Sequence, residues 1–176
     1  MPTRYNIFGD DMSYKVDKFS LFQYENNPSA QEISTTYTEI TGSKCEIKSI
    51  NQNPKLLYKF TFMASTIFYD SSNYNIHFLH VKLQKSNDNF SSNIVDVPNC
   101  TFNISADTNG SPALDVLWKT CTPMFILENF DSNYLRLVTR SYSTSNKARL
   151  HTASHYDGVT NPSNIYYNPS LIVMEL

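Results

Sequence analysis

The chain is built from short runs in which apolar and polar residues alternate, and polar turns separate these runs. A period of two is typical of β-strands, because successive side chains of a strand point to opposite faces. The clearest run is residues 55–63, KLLYKFTFM, in which Tyr58, Phe60 and Phe62 share one predicted face. Further strands are predicted at residues 19–24, 35–40, 45–50, 76–83, 100–105, 114–120, 124–127, 134–142, 149–155 and 171–176.

The spacing of the predicted strands indicates the fold class. Turn signals recur about every ten to fifteen residues, which favours an antiparallel sandwich or barrel over βαβ units. Residues 35–40 and 45–50 flank a turn at 41–43, and this arrangement predicts a hairpin. We predict an all-β domain at residues 19–176. Residues 1–18 are interpreted as either an N-terminal arm or a first strand.

The final run of the sequence is almost wholly apolar, with Leu171, Ile172, Val173 and Met174 in succession. A terminal segment normally frays unless other parts of the fold hold it. We therefore predict that this strand lies in the middle of a sheet, paired on both sides, with apolar residues buried on both faces.

Composition narrows the class of protein. Charged residues make up 17% of the chain and the net charge is -2, which argues against a basic nucleic-acid-binding protein and against a disordered tail. Aromatic residues reach 14%, which favours strands, and the 19 Asn suit turns and loops. No apolar run of about 18 residues predicts a membrane-spanning helix, and the first residues lack the apolar segment of a signal peptide.

The histidines do not predict a metal site. His77 and His80 are three positions apart, which places them on opposite faces of a strand unless a bulge intervenes. His151 and His155 share a predicted face but lie about 13 Å apart in an extended strand, too far to bind one ion together.

Nucleophilic catalysis has no sequence signature in this chain. The motif GxSxG and a Gly-rich phosphate loop are both missing from the sequence. The cysteines form no CxxC pair and predict buried free thiols in a reducing compartment, with one disulfide and one free thiol as the alternative; they are Cys45, Cys100 and Cys121. We predict a non-enzymatic protein without catalytic residues, cofactors or metal ligands.

Four strand segments carry a resemblance to a known family. TYTEITGSKCEI, KLLYKFTF, NIHFLHVKL and the closing PSLIVMEL resemble the single jelly rolls of viral structural proteins. The resemblance covers the whole chain as a pattern of strands and does not rest on a short motif. It implies an antiparallel β-sandwich, a single jelly roll of about eight to ten strands.

Two subfamilies fit this resemblance, and they imply related functions. The first is the vertex (penton) or minor capsid protein of large icosahedral DNA viruses, which implies a self-assembling subunit of the virion capsid, made in the host cytoplasm. Its expected partners are copies of itself, as a pentamer first and a trimer next, and neighbouring capsid proteins, without nucleic acid or membrane insertion. The alternative is a trimeric fibre head of the tumour-necrosis-factor type, or a β-sandwich module that binds a carbohydrate or a cell-surface receptor.

Aromatic residues and Arg are enriched at protein interfaces, whereas Lys and Glu are depleted. The candidate interface residues are therefore Tyr134, Arg136, Arg140, Tyr142, Tyr166 and Tyr167. The alternative for each Tyr is a half-buried position on a sheet face.

Overall fold

Alternating apolar and polar residues form β-strands throughout the computed structural model, which describes residues 19–24, 30–49, 51–67, 75–107, 116–142, 147–155 and 163–176. The strands are β1 (Ser20–Tyr24), β2 (Gln31–Ile33), β3 (Thr38–Glu39), β4 (Cys45–Glu46), β5 (Leu56–Ile67), β6 (Asn75–Ser86), β7 (Val95–Asp107), β8 (Val116–Cys121), β9 (Met124–Leu127), β10 (Tyr134–Ser141), β11 (Lys147–Leu150), β12 (Thr152–His155), β13 (Ser163–Tyr166) and β14 (Ser170–Glu175). Within these described ranges there is no helix, and hence none that could cross a membrane. The predicted arm at residues 1–18 lies outside them.

The first sheet is organised around the long strand β5. The first half of β5 pairs with β14 and β9, and its second half pairs with β11 and β8. Strands β1 and β2 extend this sheet beyond β14 and β11, which gives seven strands. The second sheet has five strands in the order β3, β10, β6 and β7, with β4 also paired to β10. Strands β12 and β13 form a separate two-stranded sheet.

All strand pairs in both sheets are antiparallel, and the predicted all-β sandwich is confirmed. The order across the first sheet is β1, β14, β5, β9, and across the second it is β4, β10, β6, β7. The chain therefore changes between the two sheets six times within the described residues, after β2, β4, β5, β7, β9 and β10. The first and last described strands, β1 and β14, are neighbours in the first sheet.

The inward-facing residues of the two sheets form one hydrophobic core. On β5 the predicted alternation is confirmed, because Tyr58, Phe60 and Phe62 are fully buried and the last two rings stack with centroids 5.5 Å apart. The facing residues of the second sheet are Leu79, Val81, Leu83, Leu135 and Leu137, and these side chains are fully buried too. Burial of each such side chain contributes about 1.5–3 kcal/mol, so this core is the main source of stability.

The described residues hold fourteen strands, more than the about eight to ten predicted. The predicted run 149–155 divides into β11 and β12, and the short strands β2 and β13 lie in segments where no strand was predicted. Between β8 and β9 lies Pro123, which has no backbone N–H, and its carbonyl accepts a hydrogen bond from the N–H of Phe60. Between β11 and β12 lies His151, whose φ of 61° is in the left-handed region. The separation of β8 from β9 agrees with the strands predicted at 114–120 and 124–127, whereas the break at His151 is not visible in the hydrophobic pattern.

The predicted hairpin of residues 35–40 and 45–50 is wrong. Strands β3 and β4 both pair with β10, as two parts of one edge strand that the turn at 41–44 interrupts. Ser43 makes this arrangement possible, because its hydroxyl accepts the N–H of Leu137 at 3.1 Å and donates to the carbonyl of Leu137 at 3.2 Å. The hydroxyl thus supplies the acceptor for the N–H of Leu137, while the carbonyl of Leu137 also accepts the backbone N–H of Ile40 at 2.9 Å.

The C-terminal strand β14 lies between β1 and β5, as predicted. Its inward residues Leu171 and Val173 are fully buried. The prediction that both faces are buried is wrong, because Ile172 is only half-buried and Met174 is 38% exposed. Alternate side chains point to opposite faces, so half of this apolar run belongs to the outer surface of the sheet.

Candidate functional site

The outer surface of the first sheet carries a continuous group of apolar side chains. We call it the apolar face, and its residues are Phe22, Leu57, Met124, Ile126, Ile172, Met174 and Leu176. The most exposed are Phe22 at 67%, Met124 at 61% and Ile126 at 54%. Five of the eight large apolar side chains that are exposed within the described residues lie on this one surface.

Strand register brings these side chains together. One row across the sheet runs from Phe22 through Ile172 and Lys59 to Met124, and the next row places Leu57 between Met174 and Ile126. Neighbouring strands are about 4.8 Å apart, so each row spans about 14 Å from the first strand to the fourth.

Part of the apolar face comes from the run Leu171 to Met174, for which the sequence predicted burial on both faces. The segments 124–127 and 171–174 are apolar at successive positions, which fits a strand that is covered on both faces, whereas 19–24 also contains Ser20 and Gln23. In the structure, one face of each strand packs in the core and the other is on the surface. Contiguous apolar patches of this kind mark interaction sites more often than isolated exposed residues do.

The outer surface of the second sheet is polar and aromatic. Tyr134, Arg136 and Arg140 lie on β10 at even-numbered positions, and Tyr142 follows directly after its end, so all four are on this surface. The structure thus brings together four of the six predicted interface residues.

One half of this surface is a group of residues around Tyr37 that we call the Tyr37 cluster. Its members are Tyr37, His80, Lys82, Asp96, Asn103, Arg140 and Tyr142. Tyr37 precedes β3 and reaches across β10 to β6, where its hydroxyl lies 2.6 Å from Nδ1 of His80. The Lys82 Nζ lies 4.1 Å from the centroid of the Tyr37 ring, and the guanidinium carbon of Arg140 lies 5.2 Å from it.

Charges in the Tyr37 cluster are unevenly compensated. The Nζ of Lys82 lies 2.6 Å from a carboxylate oxygen of Asp96, and this carboxylate also accepts a hydrogen bond from Gln84. Desolvation and the nearby positive charges of Arg140 and Lys82 lower the pKa of His80, so its imidazole is neutral at neutral pH.

The other half of the surface is centred on Phe90. The guanidinium of Arg136 lies 4.1 Å from the centroid of the Phe90 ring, and Tyr134 contacts the same ring edge-on at 6.4 Å. Arg136 also donates two hydrogen bonds to Oε1 of Gln84 and one to Glu39. Arg136 is thus fully engaged within the protein.

The remaining predicted interface residues, Tyr166 and Tyr167, lie apart from β10. Tyr166 is on β13, where it pairs with Thr152. The structure does not describe its side chain. Tyr167 is half-buried, and its N–H donates a hydrogen bond to the carbonyl of His151.

The described cysteine and histidine side chains form no catalytic or metal-binding group. The three cysteines are buried free thiols, as predicted, and burial raises the pKa of Cys45 to about 12 and that of Cys121 to about 11. Among the described residues, no group of three or more His, Cys, Asp or Glu side chains is placed to hold a metal ion. The side chains of His77 and His155 are not among those that the structure describes. His151 is fully buried.

An open polar cleft lies at one end of the sandwich. It has a volume of about 250 Å³ and is bordered by residues 51–54 and 130–133. Its lining is mostly amide and hydroxyl groups, and Asn51 uses its side-chain amide to bind the carboxylate of Glu175.

Comparison with known proteins identifies a structural neighbour. No protein-family model and no curated protein matches this chain. The crystal structure of dimeric latent PorU from Porphyromonas gingivalis is similar, with a TM-score of 0.52 and 8% sequence identity. The match covers 98% of this chain and 14% of the PorU chain. At this identity, the likeness shows the fold alone.

Proposed function

We propose that this chain is a non-enzymatic structural protein of a virion, a self-assembling capsid vertex (penton) or minor capsid subunit. The observation that carries the proposal is the apolar face, which we assign to contact with further copies of the same chain. Pentamers are the favoured assembly and trimers the next.

The size of the apolar face supports this role. Its rows are about 14 Å across and successive residues of the same face are about 7 Å apart along a strand, so with its side chains it covers roughly 20 Å by 20 Å. The largest apolar patch on a typical monomer is about 300–600 Å², and stable interfaces bury about 800 Å² per partner. The apolar face therefore provides the centre of an interface, and surrounding polar residues would complete its rim.

Charge supports contact between like copies. Lys59 is the charged residue within the two central rows, so a second copy of this face would bring few like charges together. A flat apolar sheet face also packs readily on a second sheet, about 10 Å away, as in the interior of a sandwich.

The virion assignment within this proposal draws on the strand order and on the resemblance of the strand segments to viral jelly rolls. The alternative remains a trimeric fibre head, or a β-sandwich module for a carbohydrate or receptor. The Tyr37 cluster favours that alternative, because exposed aromatic and polar groups converge there.

The test is the absolute mass of the purified chain, measured by light scattering on a sizing column across a concentration series. We expect an oligomer whose population grows with concentration. Phe22→Lys and Met124→Lys should each shift it to monomer, because both positions are more than half exposed and tolerate a charge in the folded monomer.

Val95→Lys is the matched control, since Val95 is 50% exposed but lies on the second sheet. It should associate as the unmodified chain does. A chain that stays monomeric at all concentrations, or an oligomer that both charged variants leave intact, would overturn the assignment of the apolar face.

A further inference from the structure

Arg140 differs from the other described arginines in lacking an acidic partner. Arg136 pairs with Glu39 at 3.3 Å and Arg149 pairs with Glu32 at 3.2 Å. In the described part of the chain, Arg140 makes ring contacts only, and its buried Nε has no hydrogen-bond partner. A guanidinium presents five donors in a rigid fork that matches a carboxylate or a sulfate. The Nε is buried, but the terminal N–H groups of Arg140 have no acceptor among the described residues and are available to an external anion.

The surroundings of Arg140 hold its guanidinium in place. The guanidinium carbon lies 5.2 Å from the centroid of the Tyr37 ring and 5.8 Å from that of Tyr142. His80 contacts both rings edge-on, at 5.7 Å and 6.4 Å, and the Tyr37 hydroxyl binds its imidazole. A cation fixed between aromatic rings loses little side-chain entropy when it binds a ligand.

The charge around Arg140 suits one anionic group. Lys82 is compensated by Asp96, and His80 is neutral at neutral pH, so Arg140 supplies one uncompensated positive charge. A polyanion such as nucleic acid binds through many cations along its phosphates, and the net charge of -2 does not support that. A ligand with one carboxylate or sulfate fits this balance.

The neighbouring surface offers contacts for a hydroxylated ring. Tyr142 is 46% exposed, and its hydroxyl donates to the side-chain oxygen of Asn103 at 2.8 Å. Asn103, Thr101 and Ser105 are exposed on the same face of β7, where their amide and hydroxyl groups can bond sugar hydroxyls. The exposed ring of Tyr142 can pack against the apolar side of a sugar.

We propose that the Tyr37 cluster is a binding site for an acidic sugar, in which Arg140 binds a carboxylate or sulfate and Tyr142 packs against the sugar ring. This site lies on the sheet opposite the apolar face, so it is independent of the proposed self-association. Either proposal can fail without the other.

Binding to the full chain can be measured by calorimetry or NMR titration with four probes. Methyl glucuronide, N-acetylneuraminic acid and glucose 6-sulfate carry an anion, and methyl glucoside is the neutral match of the first. We expect at least one acidic sugar to bind and the neutral glucoside to bind at least about tenfold more weakly, since a charge-assisted bidentate contact is lost. The preferred acidic probe identifies carboxylate or sulfate as the ligand group.

Variants locate the site. Arg140→Gln should weaken acidic-sugar binding at least about tenfold, and Arg140→Lys should restore only part of it, because ammonium lacks the planar fork. Tyr142→Ala, at an exposed position, should weaken binding several-fold with the fold intact. Arg149→Gln is the matched control and should bind as the unmodified chain does.

Three results would overturn the proposal. These are no binding of any acidic sugar, equal binding of methyl glucuronide and methyl glucoside, and unchanged affinity in both Arg140→Gln and Tyr142→Ala. If inorganic sulfate binds as tightly as glucose 6-sulfate, the site recognises the anion alone and is not a sugar site.

Discussion

His151 is a fully buried imidazole between β11 and β12. Both ring nitrogens lack hydrogen-bond partners within the described residues, and the backbone is left-handed with φ of 61°. Burial without a compensating partner penalises the charged form, and desolvation lowers the pKa of His151 from 6.5 to about 4. Both backbone groups of His151 are hydrogen-bonded. Its N–H donates to the carbonyl of Met63, and its carbonyl accepts the N–H of Tyr167.

This shift predicts acid sensitivity. The unfolded chain binds the His151 proton near pH 6.5, whereas the folded chain binds it only near pH 4. Stability is therefore unaffected above pH 6.5 and falls as the pH decreases from 6.5 towards 4. Between pH 7 and 4.5, His151 should cost about 2–3 kcal/mol of unfolding free energy.

The substitution His151→Asn removes the titratable imidazole, and Asn tolerates the left-handed backbone at this position. Urea unfolding at pH 7 and pH 4.5 should therefore show a smaller acid loss in His151→Asn than in the unmodified chain. Since carboxylates contribute equally to both proteins, an identical loss in the two would contradict the prediction.

Glu175 is a buried carboxylate that joins three segments. It accepts the N–H of Phe19 and the hydroxyl of Ser49, each at 3.0 Å, and it also binds the amide of Asn51. These hydrogen bonds fix the end of β14 to the start of β1 and to the segment before β5.

Glu175→Ala should destabilise the protein by about 2–4 kcal/mol, because it leaves several donors without their charged acceptor. Glu32→Ala is the control, since the Glu32–Arg149 ion pair is on the surface and should contribute less than about 1 kcal/mol. Chemical denaturation of both variants measures the difference. Equal effects would show that the buried carboxylate is no more important than a surface one.

At the scale of elements, a hydrogen-bonded chain joins the two sheets. The hydroxyl of Tyr58 on β5 donates to the carbonyl of Ser43 at 2.6 Å, and both groups are buried. The Ser43 hydroxyl in turn binds both backbone groups of Leu137 on β10. Ser43 thus links the two sheets through its backbone carbonyl and its hydroxyl, at the point where the edge strand is interrupted.

Tyr58→Phe keeps the ring but leaves the Ser43 carbonyl without its donor. We expect a loss of about 1–3 kcal/mol in unfolding free energy, measured in urea. Tyr142→Phe removes a more exposed hydroxyl and should cost less. If Tyr58→Phe is neutral, the link contributes nothing to stability.

The sequence predicted those elements whose pattern is local. The alternation of β5 identified Tyr58, Phe60 and Phe62 as core, and that of β10 placed Arg136 and Arg140 on one face. The turn after residue 40 was predicted, but the pairing of β3 and β4 with β10 was not, because it depends on contacts such as the Ser43 hydroxyl with Leu137, 94 residues along the chain.

The candidate sites were only partly predictable for the same reason. Arg140 and Tyr142 follow from the alternation of one strand, but Tyr37 and His80 join them only through pairing across β10. The apolar face required knowledge of which sheet faces are covered, and an apolar run does not contain that information.

At the scale of the whole molecule, the sandwich presents two chemically different outer surfaces. The apolar face lies on the first sheet, and the Tyr37 cluster lies on the second. Because the core of the sandwich separates them, copies of the chain could associate on one side while the other side binds a ligand.

The two surfaces should respond oppositely to salt. From about 50 mM to about 500 mM NaCl, screening should weaken acidic-sugar binding at Arg140, whereas association through the apolar face should be unchanged or stronger. Light scattering and calorimetry at both salt concentrations measure the two effects. Parallel weakening would show that self-association is electrostatic and does not use the apolar face.

The central position of β14 also has a consequence for synthesis on the ribosome. Strand β14 is synthesised after the other thirteen described strands. The edge of β5 that pairs with β14 therefore lacks its hydrogen-bond partner while the rest of the chain is synthesised. Long-range pairing of this kind slows folding, and an unpaired apolar strand is prone to aggregation. The nascent chain should therefore need chaperone protection until translation has passed residue 175.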